Sequence, residues 1–123
     1  MINSIAWFEI PVSDMDRAIS FYQNVFDISI AKQDFGGVLM GWFPQPDNEG
    51  AASGTLIKHE SYIPSEEGVL LYFNCENLAE TLVKADTAGG TIYQNKTMIS
   101  EDHGYMAVFL DTEGNRIALH SRM

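Results

Sequence analysis

The sequence predicts an α+β fold in which two βαβββ units form a curved mixed sheet around a cleft, with the helices outside. Three observations carry that expectation. A strand-like run, a helix-like run and several short strand-like runs occur over residues 5–59, and the same order restarts near residue 69. An offset of 63 sets Met15 against Leu78, Ala18 against Thr81 and Ile19 against Leu82, while Ile57-Lys58-His59 is aligned with Ala118-Leu119-His120. Finally, neither half carries enough apolar surface to bury a sheet face alone, so the two should share one core. The chain is therefore read as a single domain over 1–123, made of repeats at about 1–62 and 63–123.

The first strand is IAWFEI at 5–10, closed by Pro11, which withholds a donor from the ladder. Ser13 or Asp14 then caps a helix over 14–26, whose Met15, Ala18, Ile19, Tyr22 and Phe26 recur at helical spacing. Strands are expected at Ile28–Lys32, Val38–Phe43 and Thr55–His59. Gly36-Gly37 and PQPDNEGAASG at 44–54 separate them, the latter a polar surface loop long enough to border a pocket. After SYIPSEEG at 61–68, Val69–Phe73 reads as a strand, and Leu78, Ala79, Leu82, Val83 and Ala85 stripe a helix over 77–87 that Gly89-Gly90 ends. Strands at Thr91–Gln94, Tyr105–Leu110 and Ile117–His120 complete the second unit, with DTEGN at 111–115 as a tight hairpin turn.

Composition bounds the partners. A formal net charge of −10 offers no basic stripe to neutralise phosphates, which argues against nucleic acid and anionic membrane. No apolar run approaches the roughly 20 residues of a membrane span, and the start MINSIAWF shows no basic leader, so a cytoplasmic setting is expected. The lone Cys75 excludes an intrachain disulfide and any four-cysteine zinc site. It reads as a free, buried thiol.

Three segments together resemble the vicinal oxygen chelate superfamily, which contains glyoxalase I, extradiol dioxygenases and bleomycin- and fosfomycin-resistance proteins. They are IPVSDMDRAISFYQNVF at 10–26 followed by Asp27, the restart GVLLYFNCENLAETLVKADTAGG at 68–90, and VFLDTEGNRIALHS at 108–121. The resemblance covers essentially the whole chain and implies a homodimer as the assembly. It also implies where metal-dependent members place their ligands, on the first and last strands of each unit. Those positions fall here on Trp7, on Leu70 (or Val69 if the alignment slips by one), on Ala118 and on its first-unit counterpart Ile57. None of these side chains can supply the nitrogen or carboxylate oxygen that zinc, nickel or iron requires. The resemblance thus points to a small glyoxalase-like member without the usual metal, and not to glyoxalase I or extradiol dioxygenase chemistry.

Strand alternation then supplies the inventory of the cleft. If the ligand-equivalent residues face inward, so do Trp7 and Glu9, Ile57 and His59, Leu70 and Tyr72, and Ala118 and His120. Phe8, Ile10, Phe73 and Leu119 then face the helices. Glu9, His59, Tyr72 and His120 would make a polar ring beside an apolar floor of Trp7, Ile57, Leu70 and Ala118, suited to a small organic molecule with one or two polar groups and an apolar or aromatic body. Each polar residue also has an ordinary reading. Glu9 would pair with Lys58 or Arg116 at the sheet rim, and either histidine would be an exposed or hydrogen-bonded strand end.

A displaced divalent metal site, held by Glu9, His59 and His120 one layer along the cleft, is the remaining cofactor reading. His103, the helix-end Asp14 and Asp16, and the turn residues Asp111, Glu113, Gly114 and Asn115 read as structural.

The leading functional expectation is metal-independent binding of a small organic molecule, of the glyoxalase or bleomycin-resistance type. Two alternatives accompany it. One is a lyase or isomerase using Glu9, His59 or His120 as catalytic base, metal-free or with the displaced metal. The other is a structural or protein-interaction module.

Overall fold

The computed structural model describes residues 5–47 and 52–123, so the start of the chain and the middle of the 44–54 loop lie outside the described residues. The first unit runs β1 (Trp7–Pro11), α1 (Met15–Phe26), β2 (Ala31–Phe35), β3 (Val38–Trp42) and β4 (Ser53–Lys58). The second runs β5 (Leu71–Asn74), α2 (Leu78–Thr87), β6 (Thr91–Ser100), β7 (Gly104–Leu110) and β8 (Arg116–Ser121). The fold is thus two βαβββ units with mixed sheets and helices packed outside them. The strand orders β1-β4-β3-β2 and β5-β8-β7-β6 are identical in plan. In each unit the first strand lies parallel to the last, with the helix in the crossover, and the other pairs are antiparallel.

Asp14 caps α1, its side chain accepting from the Arg17 backbone N–H at 3.0 Å. Asp27, at φ 53°, ends the helix in the left-handed region. The stripe between them buries Met15, Ala18, Phe21, Tyr22 and Val25. Asn77 caps α2 in the same way, and Leu78, Leu82 and Ala85 are its buried face.

Both helices and the helix-side faces of both sheets share one core. Phe21 of α1 meets Phe109 of β7 at 5.7 Å, so the first unit's helix packs on the second unit's sheet. At the seam, Phe8 lies edge-on to both Phe43 and Phe73.

Several boundaries differ from expectation for identifiable reasons. The chain after α1 does not enter a strand at Ile28, because the Ile30 N–H is taken by the Gln23 side chain at 2.9 Å while Ile30 packs into the core. β2 therefore starts at Ala31 and meets β3 through Gly36-Gly37, with φ of 64° and 97°, values suited to a two-residue hairpin turn. β6 extends to Ser100, well beyond Gln94. Register shifts between Ile92 and Ser100 break the alternation by which a strand is recognised, and its polar centre is exposed. β5 begins two residues later than expected, at Leu71, and β4 begins two residues earlier, at Ser53.

The turn at 111–115 does more than reverse the chain. Asp111 accepts from the backbone N–H groups of Glu113 and Asn115 and from the Tyr22 hydroxyl, the last at 2.6 Å. Asn115 donates to the Pro11 carbonyl at 2.7 Å and accepts from the Ser65 N–H at 3.0 Å. Glu113 takes the N–H groups of Ser13 and Asp14, both at 2.9 Å, and a two-pronged bond from Arg17 at 2.8 and 3.0 Å. The second unit's hairpin thereby closes the first unit's helix start.

Gly104, at φ 78°, opens β7, and a Cβ there would overlap the Ser121 carbonyl oxygen. Gly104→Ala should cost about 1–2 kcal/mol through left-handed strain and displacement of β8, read as a lower urea midpoint with an unchanged slope. Among the described residues no helix is long and apolar enough to cross a membrane.

Candidate functional site

Register partners in neighbouring strands point to the same face, so the sheet pairing fixes which side chains share each helix-free surface. On the first sheet these form rows across the strands: Trp7–Ser53, then Glu9–Thr55–Trp42, then Pro11–Ile57–Met40. On the second they are Tyr72–Ala118–Val108 and Asn74–His120–Met106. Phe8, Ile10, Phe73 and Leu119 occupy the opposite, helix-packed faces, as alternation required.

The register also corrects one alignment between the halves. The constant offset carries Glu9 to Tyr72 (9 + 63) and Thr55 to Ala118 (55 + 63), so the first-unit counterpart of Ala118 is Thr55, and Ile57 corresponds to His120.

The expected residues are distributed rather than gathered. Trp7 and Tyr72 are large aromatic surfaces, 57% and 51% exposed, one on each helix-free face. Ile57 and Ala118 are buried floor residues. Leu70 precedes β5 and lines an apolar cavity of about 590 Å³ at the seam, together with Phe8, Ser53, Tyr72 and Phe73.

Glu9 is exposed and forms no ion pair with Lys58 or Arg116. It shares a cavity of about 180 Å³ with Arg116, Glu67 and Leu71. His59 lies beyond the end of β4, its Nδ1 accepting from the Ser61 N–H at 3.1 Å, and lines a separate groove of about 740 Å³ with Asp34, Lys58 and Tyr62. His120 Nε2 donates to the His103 carbonyl, tying β8 to the β6–β7 turn. None of these three cavities holds Trp7 or Thr55 together with Tyr72 or His120.

The residues present do not fit a metal. Trp7, Thr55, Leu70 and Ala118 stand where the fold would place ligands, and only the Thr55 hydroxyl among them offers a lone pair, on an oxygen far weaker as a ligand than carboxylate or imidazole. His59 and His120 are engaged in the hydrogen bonds described above and Glu9 lines a different cavity from His59, so the displaced site is not assembled. Among the described residues no group of three His, Cys, Asp or Glu side chains is placed to hold an ion.

Two further titratable groups, Tyr22 and Cys75, are structural. Burial and the neighbouring Asp111 push the Tyr22 hydroxyl well above its ordinary pKa. Burial likewise raises the half-buried Cys75 thiol, which is unlike an activated nucleophile.

Two residues of the helix-free face escaped sequence reasoning. Among the described residues three buried side-chain polar atoms lack a hydrogen-bond partner: Trp42 Nε1, Thr55 Oγ1 and Arg116 Nε. All three belong to helix-free faces, and the first two are register neighbours. Thr55 and Trp42 were each legible only as a member of an expected strand, because their adjacency depends on the pairing of β3 with β4.

The sequence profile of the Glyoxalase/Bleomycin resistance protein/Dioxygenase superfamily matches residues 4–119. The chain belongs to this superfamily. A glyoxylase-like domain-containing protein from Didymella fabae is 28% identical over 123 residues, spanning 98% of this chain and 94% of its own. A glyoxalase/bleomycin resistance protein from Albidiferax ferrireducens T118 superposes with a TM-score of 0.74 at 16% identity, covering 97% of this chain and 98% of that one. Glyoxalase I from Zea mays gives 0.71 at 16% identity over 95% of this chain, which spans 45% of the maize protein. These superpositions establish the fold. Within the superfamily this is a small-molecule-binding, glyoxalase-type protein that lacks the usual metal ligands.

Proposed function

We propose that this protein binds a small organic molecule with an aromatic or apolar body, without a metal, in a cleft completed between two copies of the chain. The observation that carries the reading is the pair of exposed aromatics, Trp7 and Tyr72, on helix-free faces where, among the described residues, there is no chelating cluster. Each sits on an edge strand, since β1 and β5 end their sheets. Exposed Ile5 and Val69 flank the same edges.

Open edges bordered by large apolar side chains are what a partner strand or a second sheet face covers. A homodimer that opposes the first unit of one copy to the second unit of the other would bring Trp7 and Glu9 against Tyr72 and His120 of the second copy. Aromatic stacking would hold the ligand body, and the acidic surroundings favour neutral or cationic ligands over anions. Each chain would act as one domain of two repeats. Its unpaired Cys75 suits a reducing, cytoplasmic setting.

Calorimetric titration of the dimer with benzamide, acetophenone and benzyl alcohol tests this reading. Trp7→Ala and Tyr72→Ala should each abolish binding while leaving the dimer intact in sedimentation. Refolding the two variants together should restore about one quarter of the sites, because half of the random dimers carry one undamaged cleft. A monomer that binds at full stoichiometry, or a co-refolded mixture with no recovered sites, would contradict the shared cleft.

A further inference from the structure

We infer that Thr55 and Trp42 form the polar contact of this cleft and that, with Glu9 beside them, they select a neutral carboxamide on an aromatic body. This rests on the binding role proposed above and names the chemistry that the site would accept.

Glu9, Thr55 and Trp42 stand in one row across β1, β4 and β3 on the face that α1 leaves uncovered. Thr55 is completely buried, yet its Oγ1 has no partner, and the buried Nε1 of Trp42 beside it has none either. Buried polar groups are almost always paired, because leaving one unpaired forfeits its hydration without return. Two adjacent exceptions on the same helix-free surface are what a recognition site for a polar group requires. The third orphan, Arg116 Nε, also lies on a helix-free face.

The row has a definite chemical polarity. Indole N–H only donates, a hydroxyl donates or accepts, and the exposed Glu9 carboxylate only accepts. A primary carboxamide answers it in order, its carbonyl oxygen toward Trp42 and Thr55 and its NH₂ toward Glu9. A carboxylate would set a second negative charge beside Glu9 in a chain of formal net charge −10. The aromatic body would lie toward Trp7, which borders the row on the same face. Because both orphan atoms are shielded from solvent, entry requires a side chain to move.

Benzamide and benzoate are the probes, read by the two indole N–H resonances of the ¹⁵N-labelled dimer, assigned with Trp7→Phe and Trp42→Phe. Benzamide should shift both resonances and benzoate neither. Thr55→Val keeps the side-chain shape and removes the orphan hydroxyl. It should raise the thermal midpoint by about 2–5 °C and weaken benzamide binding about tenfold. This combination of signs is not expected of a residue that only fills space.

A benzamide affinity unchanged in Thr55→Val would overturn the inference, and so would a lowered midpoint, which would show that hydroxyl to be satisfied inside the protein. A shift of the Trp7 resonance alone would leave the cleft standing without this contact. Silence of both resonances toward benzamide, acetophenone and benzyl alcohol would remove the proposed function together with the inference.

Discussion

Replacing Glu113 with glutamine is expected to destabilise the fold by about 2–4 kcal/mol, because a carboxylate ringed by donors would become a group that points an NH₂ at some of them. The side chain is sealed from solvent by Arg17, by Thr112 and by the backbone N–H groups of Ser13 and Asp14 that lead into α1. Burial alone would raise its pKa. The Arg17 guanidinium, the Asp14 N–H, the Thr112 hydroxyl and the Ser13 N–H outweigh burial and hold it at about 2, against an ordinary 4.5.

A carboxyl held lower in the folded chain than in the unfolded one binds fewer protons when folded. Its contribution is therefore complete above pH 4.5 and is lost as the pH falls toward 2. Allowing for the half-exposed Arg17 beside it, that contribution is about 1–3 kcal/mol. Urea unfolding between pH 7 and pH 2 should show this loss in the parent chain, with a shallower slope in Glu113→Gln. Identical pH profiles for the two would refute the assignment.

The second large effect concerns the seam. Gly54 on β4 lies directly beneath the Phe8 ring, and a Cβ at that position would overlap it. Phe8 crosses β4 in this way to reach Phe43 at 5.6 Å and Phe73 at 5.4 Å, so a missing methyl group lets the first unit grip the second. Gly54→Ala should cost about 1–3 kcal/mol by forcing the ring aside. Phe8→Ala should cost about 2–4 kcal/mol, somewhat below a fully buried phenylalanine because the side chain is partly exposed. The double variant should be no less stable than Phe8→Ala alone, a coupling that a thermodynamic cycle measures directly. Simple addition of the two losses would show that the ring and the glycine do not constrain one another.

Both regions show what local pattern conveys. The periodicities of Met15–Phe26 and Leu78–Ala85 identified each helix and most of its buried face, because a helix's apolar stripe is written within a few turns of chain. Ala79 and Val83 of the expected stripe are exposed, however, and the buried Phe21 and Val25 were not part of it. DTEGN was legible as a turn, but Glu113 was not legible as the cap of a helix that begins nearly a hundred residues earlier. Nothing in four or five neighbouring residues encodes a contact of that span. β6 was cut short for a related reason, since bulges interrupt alternation and pairing with β7 maintains the strand through them.

By itself the sequence determined the repeated βαβββ order, the superfamily resemblance, the side of each strand that faces a helix, and the lack of chelating side chains at the expected ligand positions. These follow from periodicity and residue chemistry, which are local. Only the tertiary structure decided that Thr55 is the counterpart of Ala118, that Thr55 and Trp42 share a row with Glu9, and that His59 and His120 are engaged elsewhere. Those outcomes depend on strand register, where a shift of one residue sends every side chain to the opposite face. Register is set by the whole core at once rather than by any one strand.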